Sequence, residues 1–135
     1  MAVEQVKEKA VFYKHNGFNC AQAVVKALAE HDASFIESSS VPSDQLVAMT
    51  GGFAVGMGTM EATCGALIGA NLLAGLKTEG KGTLSKTRQL VDGFKQKSGA
   101  LICKDLKGVE TGTVLCSCDD CIRNAIEVFA KTFDM

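Results

Sequence analysis

The sequence predicts an all-α protein, a single-domain helical bundle of about five to seven helices with a glycine-rich central connection. Three observations predict it: apolar residues recur at helical spacing, strand-like alternation is nearly absent, and the connections are short enough for antiparallel neighbours. At 135 residues the chain can bury one core and is too short to expect a second, so positions 1–135 read as one domain. No repeat at the periods that mark solenoids is visible.

Val3, Val6, Ala10 and Tyr13 recur at helical spacing between charged residues, which predicts an amphipathic helix from Ala2 to His15 ended by Asn16-Gly17. Asn19 and Gln22 have the form of a capping box and open a second helix through Glu30, with Cys20 in its first turn. His31 to Ser40 reads as a polar connector. Pro42 and Asp44 start a short helix to Ala48 or Met49, which breaks at Gly51, Gly52, Gly56 and Gly58. From Cys64 an Ala/Leu/Gly-rich helix runs to about Lys77. Its small residues Gly65, Ala66, Gly69, Ala70 and Ala74 fit the central, buried helix of a bundle. Leu84, Leu90, Val91 and Phe94 support a further helix to about Lys97, and Ile102 to Leu106 a single turn around Cys103. Ile122, Ile126, Phe129 and Phe133 mark the last helix, with Asp119 and Asp120 at its positive end and Cys121 in its first turns.

Composition narrows the function. A net charge of -1 offers no footprint for nucleic acid or anionic lipid. The charged Met1 to Lys9 segment lacks the apolar core of a secretory signal. The longest low-charge stretch, Leu46 to Met60, is interrupted by glycines and threonines, so no membrane insertion is expected. The expected location is cytoplasmic. There, six cysteines point to metal or redox use over a disulfide framework.

Cys20, Cys64 and Cys121 each fall at a predicted helix start, where backbone N–H groups and the helix dipole favour thiolate, the form that ligates metal and attacks disulfides. The alternative is that Cys20, Cys64 and Cys103 are small buried hydrophobes. The cluster Cys116-Ser117-Cys118-Asp119-Asp120-Cys121 is sharper, because its CxxC spacing suits zinc, iron–sulfur or dithiol chemistry. One CxxC is half a site, so partners must come from elsewhere. His15 and His31 lie at helix ends and are expected to cap carbonyls. The Gly51 to Gly58 segment lacks the Lys-Ser/Thr ending of a P-loop and is expected to serve close packing. Met49, Met57 and Met60 are soft donors by chemistry but are expected in the core.

Taken together, Asn19-Cys20-Ala21-Gln22-Ala23-Val24, the glycine run, Cys64-Gly65-Ala66-Leu67-Ile68-Gly69, Cys103 with Leu106 and Gly108, and Cys121 form an ordered pattern over nearly the whole chain. The pattern resembles the redox-active protein family named for its C_GCAxxG_C_C cysteines, although the chain reads Cys64-Gly65-Ala66 where the family name spells Gly-Cys-Ala. The resemblance implies one site made by Cys20, Cys64, Cys103 and Cys121, with Cys116 and Cys118 as alternatives to Cys121. It also implies that Gly65, Ala66 and Gly69 shape the cofactor-binding helix around Cys64.

Three functions are therefore expected in order. The first is an iron–sulfur cluster on four thiolates, for electron transfer or redox sensing with a partner protein. The second is a thiol–disulfide oxidoreductase using a pair such as Cys118 with Cys121 or Cys20 with Cys64. The third is a structural tetrathiolate zinc site. Small-residue helix faces are also compatible with a homodimer.

Overall fold

The computed structural model describes residues 2–32 and 39–135. Part of the predicted connector, 33–38, lies outside the described residues. Among the described residues there are seven α-helices and no strand or sheet: α1 Val3–Lys14, α2 Cys20–His31, α3 Ser43–Met49, α4 Gly65–Lys77, α5 Thr83–Ser98, α6 Cys103–Lys107 and α7 Cys118–Thr132. The all-α class and the central glycine-rich connection are as the sequence predicts.

The apolar periodicities become one core. Leu28 of α2, Leu67 and Leu73 of α4, Leu90 and Phe94 of α5, and Ile122, Ile126 and Phe129 of α7 are fully buried. Helix α4 sits centrally, packed on α2, α5 and α7, while α1 lies across α2 and α7. Its small-residue stripe permits this. Ala66, Ala70 and Ala74 have no exposed surface, and a Cβ at Gly69 would stand 2.8 Å from the Ala21 carbonyl oxygen, so α2 and α4 cross almost backbone to backbone. Helix α1 is fastened to α7 by Arg123, whose Nε and Nη2 lie 2.9 and 3.0 Å from the two Glu8 carboxylate oxygens. No helix among the described residues is long and apolar enough to cross a membrane.

Leu84, Leu90, Val91 and Phe94 all fall in α5; Leu84 is 70% exposed, because α5 buries the later stripe Leu90, Phe94 and Ser98 and its first turn faces solvent. Three expectations are corrected. Met49 and Met57 are not core residues but are 68% and 55% exposed, and Met60 is only partly buried, because the chain between α3 and α4 runs over the surface. The His15 ring does not cap α1; its Nε2 lies 2.9 Å from Asp119 Oδ2 at the start of α7. The His31 ring does not cap α2 through Nδ1, which is buried and unbonded.

Candidate functional site

Each cysteine-bearing element is held by local structure. Asn19 caps α2 as expected: its Oδ1 accepts the Gln22 N–H at 3.0 Å and Gln22 Oε1 accepts the Asn19 N–H at 3.1 Å. The Asn19 amide also donates to the Gly51 carbonyl at 2.9 Å, which ties the glycine run to Cys20. Cys64 and Cys103 are brought side by side by a short antiparallel pairing. Thr63 bridges Ile102, Cys64 N–H donates to Leu101 at 2.8 Å, and Cys103 N–H donates to Ala62 at 3.0 Å. After α6, Gly108 turns left-handed and the loop returns so that the Leu115 and Cys116 N–H groups donate to the Leu106 carbonyl. Ser117 then caps α7 by accepting the Asp120 N–H at 3.1 Å.

The result is a cavity of about 200 Å³. Cys20, Cys64, Cys103, Cys118 and Cys121 line it, with Lys107 among them and Phe18, Ala54 and Val55 as apolar wall. All six cysteines are free thiols. Cys116 is buried away from the cavity, its sulfur 3.6 Å from the Asn124 amide nitrogen. Of the glycine–alanine motif, Gly65 lines the cavity, Ala66 supplies a backbone N–H to Cys64, and Gly69 serves the crossing with α2.

The three thiols expected at helix starts behave differently. Cys64 stands at the N-cap position of α4 and is the acidic one, pulled down to about 6 by the neighbouring Cys121 thiol, by the Ala66 and Leu67 N–H groups, and by the Lys107 charge, against the cost of burial. Cys20 does open α2, but burial and the nearby Cys64 charge push its thiol up to about 11, against the N–H of Val55. Cys121 stands one turn inside α7, whose first residue is Cys118; its S–H donates to the Cys116 carbonyl at 3.8 Å, and the neighbouring Cys64 and burial push its thiol up. Burial likewise raises Cys103. The thiolate expected at Cys20 and Cys121 is therefore corrected: one thiolate, on Cys64, is favoured, because desolvation and the first negative charge oppose a second.

Two features escape a reading by residue type. Lys107 places its Nζ 3.0 Å from the Cys116 carbonyl and 3.5 Å from the Cys121 sulfur. Burial would lower its pKa, but the cysteine sulfurs around it, Cys121 foremost and the Cys64 thiolate among them, outweigh that and raise it. Its place one helical turn beyond Cys103 was the available signal. The second is the turn Val55–Gly58, where all four residues are left-handed: φ is 55° at Val55, 55° at Gly56, 58° at Met57 and 77° at Gly58. Gly56 is required there, since a Cβ would lie 2.9 Å from Cys103 Cβ. Val55 and Met57 each bear the cost of a left-handed L-residue, about 1–2 kcal/mol. Val55→Gly is accordingly expected to raise stability by up to about 1 kcal/mol in thermal unfolding, since more than half of the Val55 surface is exposed and little packing is lost. An unchanged or lower midpoint would show that the turn carries no strain.

A small helical bundle whose separate helices deliver five cysteines and a lysine to one cavity is a thiol-site protein. Residues 18–132 match the family described as "Putative redox-active protein (C_GCAxxG_C_C)". The chain belongs to that family of redox-active, cysteine-rich proteins. No curated protein and no solved structure matched the chain.

Proposed function

We propose that the cavity binds an iron–sulfur cluster through Cys20, Cys64, Cys103 and Cys121, and that the protein carries or senses single electrons for a partner protein. The observation that carries this reading is that these four thiols, from four different elements, line one cavity of about 200 Å³. The donor set fits: thiolate is the ligand such clusters take. Among the described residues no three His, Cys, Asp or Glu side chains already converge on one ion, so a metal group would have to draw the sulfurs together on binding.

When bound, the cluster supplies one-electron chemistry. The chain's own residues hold Cys64 as thiolate, place a cation beside it, and wall the cavity with the apolar side chains of Phe18, Ala54 and Val55. Cys118, which also lines the cavity, is the alternative to Cys121 as fourth ligand.

A second reading, thiol–disulfide exchange, is favoured by Cys64 and Cys121 lining the same cavity, where Cys121 is the largest influence on the lowered Cys64 pKa. The Cys64 thiolate would attack a partner disulfide, forming a mixed disulfide and releasing one partner thiolate. Cys121, after losing its proton, would attack the Cys64 sulfur and release the second. Two electrons pass to the partner, and Cys64 and Cys121 end as a disulfide.

Anaerobic purification with a visible spectrum and iron, sulfide and zinc analysis separates the readings. The cluster reading expects a brown protein with iron and sulfide, lost in the alanine variants of Cys20, Cys64, Cys103 and Cys121 and kept in Cys116→Ala. A colourless protein that takes up no iron and sulfide on reconstitution would overturn it. A metal-free protein that loses two titratable thiols on oxidation would then support the dithiol reading.

A further inference from the structure

We propose that Lys107 is the positioning cation of the cysteine cavity, the fixed positive charge that sets the reduction potential of whatever redox group the thiols form. Its geometry is unusual for a lysine. Among the described residues no carboxylate is paired with it; its hydrogen-bond partners are the Cys116 carbonyl at 3.0 Å and the Cys121 sulfur at 3.5 Å. The other lysine lining the cavity, Lys14, is by contrast paired with Asp119 at 3.2 Å.

The fold goes to some length to hold Lys107 there. It is the last residue of α6, four positions after Cys103, so one short helix carries a thiol and a cation to the same cavity. Gly108 then turns left-handed, and any Cβ there would stand 2.3 Å from the Thr113 carbonyl oxygen. That closure brings Cys116 back over α6 and presents its carbonyl to the ammonium. The carbonyl fixes the direction of Nζ; the sulfur receives its field.

The direction of the effect does not depend on the redox group. Reduction adds negative charge to the site, as an electron on a cluster or as thiolate from a disulfide. A neighbouring cation in a poorly solvated cavity stabilises the reduced form in both cases. The inference rests on the cavity being the redox site, and iron and sulfide content tests that separately.

The experiment compares the midpoint potential of the wild-type protein with Lys107→Met and Lys107→Arg. The potential is read from the visible spectrum if the anaerobically purified protein is coloured. If it is colourless, it is read from thiol content in glutathione buffers. Lys107→Met is expected to lower the midpoint by the equivalent of about tenfold in the ratio of oxidised to reduced protein, about 59 mV for one electron or about 30 mV for two. Lys107→Arg, which keeps the charge, is expected to restore most of the shift. An unchanged midpoint in Lys107→Met overturns the proposal. So does a shift that Lys107→Arg leaves uncorrected, since the loss would then be one of fit and not of charge. If Lys107→Met fails to fold by circular dichroism, Lys107→Gln takes its place with the same expectations.

Discussion

Gly65→Ala is expected to destabilise the protein by about 2–4 kcal/mol and to disturb the cysteine cavity. The added methyl would stand 2.5 Å from the Phe53 carbonyl oxygen, 2.9 Å from Ala54 Cα and 3.1 Å from the Cys20 sulfur. Two of these are backbone atoms, which no side-chain rotation can clear. The chain before the left-handed turn must move outward, carrying Val55 away from Cys20. The same substitution ten residues later in the same helix has the opposite sign. Nothing lies within 4 Å of a Cβ at Gly75, so Gly75→Ala is expected to gain about 0.5–1 kcal/mol of helix propensity. Denaturant unfolding of the two variants checks both, and similar effects at the two positions would refute the close approach at Gly65.

Stability of the reduced, metal-free protein is expected to rise between about pH 6 and pH 9 and to fall above it. Cys64 has its pKa lowered on folding, from 9.0 to about 6. Its contribution is therefore complete above the unfolded value and is lost as pH falls through 6, because in that window the unfolded chain binds the extra proton. Three pKa units correspond to at most about 4 kcal/mol, which sharing of the proton with Cys121 reduces. Cys20 has the reverse sign: raised from 9.0 to about 11, it contributes below pH 9 and loses that contribution as pH rises through 11. The two thiols together give a maximum near pH 9. Urea unfolding across this range under reductant is the measurement, with Cys64→Ser expected to flatten the lower limb. A lower limb that persists in Cys64→Ser would assign the linkage to another group.

The helices were legible because their signals are local. Val6 and Ala10 on α1, the Asn19–Gln22 box on α2, and Ile122, Ile126 and Phe129 on α7 state periodicity or capping within one or two turns. The family resemblance, not spacing, grouped Cys20, Cys64, Cys103 and Cys121, and these line the cavity together with Cys118. Their protonation was not legible, because a helix start acts on a thiol through its own backbone, whereas burial and neighbouring thiols act through space. Cys20 illustrates the conflict: it opens a helix and is nevertheless pushed up, since the desolvation that opposes the dipole comes from elements far away in sequence. Cys118 and Cys121 were separable only once the start of α7 was fixed at Cys118. The surface methionines misled because methionine is apolar by type, while Met57 is held outward by a left-handed backbone that no hydrophobicity pattern encodes.

The clasp between the first and last helices has a consequence in time. Glu8 and Arg123 meet across 115 residues, and His15 and Asp119 across 104. Two of the cavity's five thiols, Cys118 and Cys121, belong to the helix that this clasp seats. During synthesis, Cys20, Cys64 and Cys103 emerge first and wait on a surface lacking its final wall. Only when α7 docks do the thiols become a shared enclosure, so the nascent chain passes through a stage in which its sulfurs are exposed singly to oxidants and stray metals. Closing the site and completing the fold are the same event.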